Sequence, residues 1–155
     1  MAVGAPEDDG LGTPAGAVYV MEAPFSSGTP PTRLVSDDVG FNDELGGSVG
    51  VSTTTLGTGD SRVRATNVAA GASSDDDLGT NSGAVYVFSK FDAQPPPSAC
   101  GGRGNIKPNS WVQCQKLLSD DGGPNDSFGT AVDISGRTVV VGAMWDDERG
   151  IDAGE

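Results

Sequence analysis

The chain has 155 residues, 35 % of them apolar, with 24 glycines and 10 prolines, a net charge of −13 and no histidine. Such a charge repels phosphate backbones and anionic headgroups, which excludes nucleic acid as an expected partner. No run approaches the roughly 20 apolar residues of a membrane helix and the first residues carry no basic-then-apolar signal, so no membrane insertion is expected within this chain.

Low apolar content with abundant Gly and Pro leaves either disorder or many short strands joined by tight turns. Evenly spaced runs of β-branched and aromatic residues decide for strands. Residues 2–35 hold the first group. Val3-Gly4-Ala5-Pro6 is a strand running into the acidic turn Glu7, Asp8, Asp9; Gly16-Ala17-Val18-Tyr19-Val20 is the next, and Thr32 to Val35 a less distinct third. Residues 36–118 form a complete four-strand unit. It begins with an acidic link (Asp37, Asp38, Asp43, Glu44) into Leu45-Gly46 and Val49, followed by a Thr/Gly-rich connection from Thr53 to Asn67 in which Asp60 is the only acid. Ala70-Gly71-Ala72 then leads into the turn Asp75, Asp76, Asp77, and Gly83-Ala84-Val85-Tyr86-Val87-Phe88 supplies the third strand. An insertion over 92–110, stiff at Pro95-Pro96-Pro97 and Gly-rich beyond, precedes the fourth strand, Trp111 to Leu118. Residues 119–155 repeat the acidic link (Asp120, Asp121, Asp126), then Phe128 to Ile134, the turn Ser135-Gly136-Arg137, Thr138 to Ala143, and a last acidic segment with Asp146, Asp147, Glu148 and Asp152. A Gly at 136 suits the positive φ of a tight hairpin.

Two blocks recur in the same alternation. Val3-Gly4-Ala5 with its acids and the Gly-Ala-Val-Tyr-Val strand returns at Ala70 to Val87 and begins again at Val141-Gly142-Ala143. Ser36-Asp37-Asp38, Asn42-Asp43, Leu45-Gly46 and Val49 return at one constant spacing as Ser119-Asp120-Asp121, Asn125-Asp126, Phe128-Gly129 and Val132. Repeated four-stranded meanders are the material of propeller blades. The expected fold is all-β: a partial β-propeller of about two and a quarter four-stranded antiparallel blades, with nine strands grouped three, four and two. Phe128-Gly129 followed by Val141-Gly142-Ala143, and Val3-Gly4-Ala5-Pro6, resemble the Phe-Gly and Gly-Ala-Pro elements of the FG-GAP repeat of integrin alpha propellers. Leu45 replaces Phe in the middle copy, and Ser73 and Met144 replace Pro. The resemblance implies an extracellular binding or adhesion element. Integrin calcium loops lie between the first and second strands with an alternating Asp/Asn pattern; neither Ser135-Gly136-Arg137 nor the 53–67 stretch has it, so those sites do not carry over.

In an up-and-down blade the turn from strand two to three emerges on the same face as the link to the next blade, which gathers most of the 22 acids on one face. Crowded like charge needs offsetting. One expectation is a Ca²⁺-sensitive face, with Asp8, Asp9, Asp37, Asp38, Asp43, Asp75, Asp76, Asp77, Asp120, Asp121, Asp126, Asp146 and Asp147 as candidate ligands. The other is that Asp serves the turns by bonding nearby amides.

Cys100 and Cys114 flank the insertion. They form either a bridge worth about 3 kcal/mol in the chain-entropy model, suited to an oxidising compartment, or two free thiols. Asn125-Asp126-Ser127 is a glycosylation sequon, with turn capping as the alternative role for Asn125. Trp111 is expected to pack on a neighbouring blade, whereas Trp145, at the acidic face, stands between ligand contact and packing. With no His, no nucleophile elbow and no phosphate loop, no enzyme activity is expected of this chain.

The function read from the sequence is a non-catalytic, secreted or cell-surface propeller segment recognising a protein or a glycan. The alternatives are a structural subunit joining further blades or another copy through exposed sheet edges, and the propeller part of a larger secreted enzyme.

Overall fold

The computed structural model describes all residues except 11–13, 25–27, 39, 97, 103–104 and 148–155. Glu148, Asp152 and Pro97 therefore lie outside the described residues. Among the described residues nine strands form three antiparallel sheets. The first is β1 (Ala2–Ala5), β2 (Ala17–Val20) and β3 (Thr32–Leu34), in that order. The second is β4 (Ser48–Leu56), β5 (Val63–Ala72), β6 (Ala84–Phe91) and β7 (Trp111–Leu117). The third is the pair β8 (Phe128–Ser135) and β9 (Thr138–Ala143). Each sheet is a meander whose neighbours in sequence are neighbours in space.

Period-two alternation divides the middle sheet between two cores. Val68, Ala70, Ala72, Tyr86 and Phe88 face the first sheet, packing with Val18, Val20, Leu34 and Leu45. Ala69 and Val85 face the other way, onto Ile134, with Val132, Val139 and Val141 around them. A strand covered on both faces reads as continuously buried, as the second half of β5 does. Trp111 is half-buried against the first of these cores, as expected of a residue packing on a neighbouring sheet. Among the described residues its indole Nε1 is buried without a hydrogen-bond partner.

The recurring glycines stitch the sheets together. A Cβ on Gly4 would stand 1.8 Å from the carbonyl oxygen of Gly46, and one on Gly71 would stand 1.9 Å from that of Gly129. In the first two copies the Gly of the Val/Ala-Gly-Ala segment thus meets the Gly of the following Leu/Phe-Gly segment, backbone against backbone. Parallel bridges Gly16–Leu45 and Gly83–Phe128 lie beside these contacts, so Leu45 does in its copy what Phe128 does in the next.

Two expectations need correction. The 53–67 stretch is not a long connection: β4 continues to Leu56, β5 starts at Val63, and a short 3₁₀ turn at Gly59–Ser61 joins them. The Thr residues alternate half-buried and exposed along β4, a strand pattern hidden by their polar character. The insertion is also less loose than its composition suggests. Ala99 and Ile106 are buried with Val63, Ala65 and Phe91 in a small third core, and the Cys100–Cys114 disulfide ties the loop to β7. The Ser135-Gly136-Arg137 hairpin is as expected, with Gly136 at φ 60°.

Candidate functional site

Hydrogen bonds place the acidic loops of all three sheets at one end. Leu45 N–H donates to the Ala15 carbonyl at 3.0 Å, and the Ser74 hydroxyl donates to Glu44 Oε2 at 2.9 Å, joining the 6–16 turn, the 35–47 link and the 73–83 turn. Asn125 N–H donates to the Thr80 carbonyl at 2.8 Å and Trp145 N–H to the Asp126 carbonyl at 3.3 Å, which adds the 118–127 link and the segment after β9.

Within this end, turn chemistry occupies several carboxylates. Asp43 Oδ2 accepts from Gly40 N–H at 2.7 Å, and Asp126 Oδ2 accepts from Gly123 N–H at 2.5 Å, the same bond in two copies. Burial pushes the Asp43 carboxyl above its ordinary value. Asp76 Oδ1 takes the Asn81 N–H at 2.8 Å and Asp121 Oδ1 takes the Ser119 hydroxyl at 2.6 Å. Asn125 has a positive φ, 73°, and its side-chain oxygen accepts from Asn81 Nδ2 at 3.4 Å.

A second pattern was not expected. Asp8 Oδ2 accepts from the Tyr19 hydroxyl at 2.5 Å, and Asp75 Oδ2 from the Tyr86 hydroxyl at 2.8 Å, each pair 11 residues apart. The first and second sheets each add a cation from the strand beside the tyrosine. Arg33, cross-strand from Tyr19, pairs with Asp8. Lys116, cross-strand from Tyr86, lies 2.8 Å from Asp75, 2.8 Å from Asp77 and 2.7 Å from Asp38. The Arg33 and Tyr19 hydrogen bonds hold Asp8 down at about 2. Burial opposes the charge of Lys116, yet its hydrogen bonds to Asp38, Asp75 and Asp77 outweigh this and raise its pKa. Asp75 is 2 % exposed, and that lysine is its partner in this buried setting. The recurring Asp-to-Tyr spacing was visible in the sequence; the cations, distant along the chain, were not.

Of the other residues singled out, Asp146 is buried, whereas Asp9, Asp37, Asp120 and Asp147 are exposed. Among the described residues, no group of three or more His, Cys, Asp or Glu side chains is placed to hold a metal ion. Between the turns lies a concavity of about 610 Å³. Trp145, 46 % exposed, lines it with Met144, Glu44, Asp147, Asn81 and Asn125. At the far end a cleft of about 430 Å³ separates β6 and β7 from the β8–β9 hairpin, beneath Ala99 and Cys100.

Residues 111–155 match the family model described as FG-GAP repeat. No curated protein and no solved structure matches the chain. FG-GAP repeats are in general binding and protein-interaction elements, typically of extracellular proteins, and the Cys100–Cys114 bridge is consistent with secretion. The matched segment contains the Phe128-Gly129 contact that joins the second and third sheets, repeated by Leu45-Gly46 between the first and second; residues 111–155 carry an FG-GAP repeat.

Proposed function

We propose that the chain is a non-catalytic segment of a β-propeller, about two and a quarter blades, that recognises a protein or a glycan outside the cell through its acidic loop end. The observation that carries this reading is the convergence of Glu44 with the turns of the second and third sheets around one concavity with an exposed Trp145. Rigid strands presenting clustered loops are the usual architecture of recognition surfaces. Non-catalytic action fits carboxylates that are engaged with tyrosine hydroxyls, Arg33, Lys116 and turn amides. Calcium belongs to the proposal as a weakly held ion at the exposed acids, such as Asp9, Asp120 and Asp147, because Lys116 already sits among Asp38, Asp75 and Asp77.

The test is to display the chain to an array of extracellular proteins and measure capture by variants of each end. Glu44→Gln with Asp147→Asn should abolish capture, while Asp60→Asn with Arg137→Gln at the far end should not. Capture indifferent to the first pair and sensitive to the second removes the proposal.

A second reading has its own observation. Among the described residues β1 pairs only with β2 and β9 only with β8, leaving a ladder edge on each. Such edges template pairing with further blades or another copy. Light scattering across a concentration series would show oligomers under this reading and a constant monomer mass against it.

A further inference from the structure

We propose that the concavity beside Trp145 is a carbohydrate subsite that takes a neutral pyranose. This rests on the binding reading above and names its ligand class. A pyranose presents an apolar C–H face and a rim of hydroxyls that both donate and accept; its site needs a flat exposed apolar surface with mixed donors and acceptors beside it. Trp145 supplies the surface. The first and second copies carry Glu7 and Ser74 at the position Trp145 holds in the third, so the turn itself does not require an indole. Asn81 and Asn125 contribute amides, Ser74 a hydroxyl, and Glu44 and Asp147 carboxylates.

The same lining argues against other ligands. It includes no Lys or Arg, and the chain's net charge is −13, so anionic groups such as phosphate or sialate are repelled. A guanidinium only donates, so it would pair with the carboxylates but accept from none of the side-chain N–H groups of Asn81 and Asn125. An apolar anchor would answer none of the hydrogen-bonding capacity that the lining leaves over from its own Ser74–Glu44 and Asn81–Asn125 bonds. The volume, about 610 Å³, is within the usual range for small-ligand sites and ample for one sugar ring. Four lining residues other than glycine hold positive φ, Glu44 at 60°, Asn81 at 53°, Asn125 at 73° and Ser127 at 56°, so their loops present these side chains from constrained backbone positions.

The chain has two tryptophans, and Trp111 serves as an internal control because its indole Nε1 is buried. The experiment follows both indole ¹H–¹⁵N resonances during titration with methyl glycosides of glucose, galactose, mannose and N-acetylglucosamine. N-acetylneuraminic acid and Nα-acetylarginine amide are the comparators. At least one neutral glycoside should shift Trp145 saturably, with a dissociation constant on the order of 1 mM, and leave Trp111 in place. Trp145→Ala should abolish the binding while β8 and β9 amides keep their positions, and Asn81→Ala should weaken it roughly tenfold. No saturable shift with any neutral glycoside, equal movement of Trp111, or tighter binding of the arginine derivative would each overturn the proposal. A null glycoside titration beside positive capture of an extracellular protein sinks this inference alone; a null result in both sinks the binding reading with it.

Discussion

Replacing Gly71 by alanine isolates the contact that holds neighbouring sheets together. The new Cβ would lie 1.9 Å from the Gly129 carbonyl oxygen and 2.5 Å from Ser48 Oγ. The serine can rotate away; the carbonyl is backbone and cannot. Relief requires the third sheet to retreat by roughly 1 Å or more, to restore an ordinary carbon–oxygen separation. That retreat breaks the Ser48 Oγ to Gly129 carbonyl bond, now 2.8 Å, and loosens Ala69 and Val85 from Ile134. Overpacking and a lost buried hydrogen bond together amount to about 3 kcal/mol. With a urea slope of roughly 2 kcal/mol per molar, the unfolding midpoint should fall by about 1.5 M. Gly101→Ala is the control, because its φ of 64° is the only obstacle and no atom lies within 4 Å; a left-handed alanine costs only about 1 kcal/mol. Urea unfolding followed by Trp fluorescence reads both. If Gly71→Ala loses no more than Gly101→Ala, the backbone contact is not what joins the sheets.

Lys116→Met should cost about 2 kcal/mol at pH 7 in urea unfolding, less than a fully buried pair because Asp38 and Asp77 are partly in solvent. Asp8 has a folded pKa near 2, below its ordinary 3.8, so its contribution is complete above about pH 4 and fades as pH falls towards 2. The stability gap between wild type and Asp8→Asn should close over that window in acid-titrated unfolding, and a gap that persists at pH 2 contradicts the assigned pairing. Cys100→Ser with Cys114→Ser should lose about 3 kcal/mol and admit thermolysin before Ile106, now buried, seen as a new peptide by mass spectrometry. Calorimetric titration into chelator-treated protein should show calcium binding at millimolar strength or weaker, with Asp147→Asn and Asp120→Asn reducing it; tight uptake would mean that the paired aspartates had been released to bind metal.

Much of the fold was legible because it is periodic. Gly-Ala-Val-Tyr-Val is a short run of β-branched and aromatic residues opened by glycine, and β2 and β6 lie where that motif stands. The grouping of strands followed from two blocks recurring in fixed alternation. The β4–β5 hairpin was less legible, since threonine at half-buried positions gives no apolar contrast. The small core beneath the insertion hid for a similar reason: Ala99 and Ile106 are isolated apolar residues in a Gly/Pro-rich stretch, and burial comes only from β5 and β6 below them. At the loop end the sequence located the carboxylates but not their neutralisation. Arg33 and Lys116 reach Asp8 and Asp75 only through strand pairing, which places each cation opposite a tyrosine far away along the chain.

The account depends on loops from three sheets sharing one end. A nitroxide attached at Asp147→Cys, with the native disulfide intact, tests that arrangement through paramagnetic broadening of backbone amides. Broadening should reach Glu44, Ser74, Asn81 and Asn125 and spare Asp60, Gly136 and Ile106; broadening at the second group, or its absence from the first, would contradict the account.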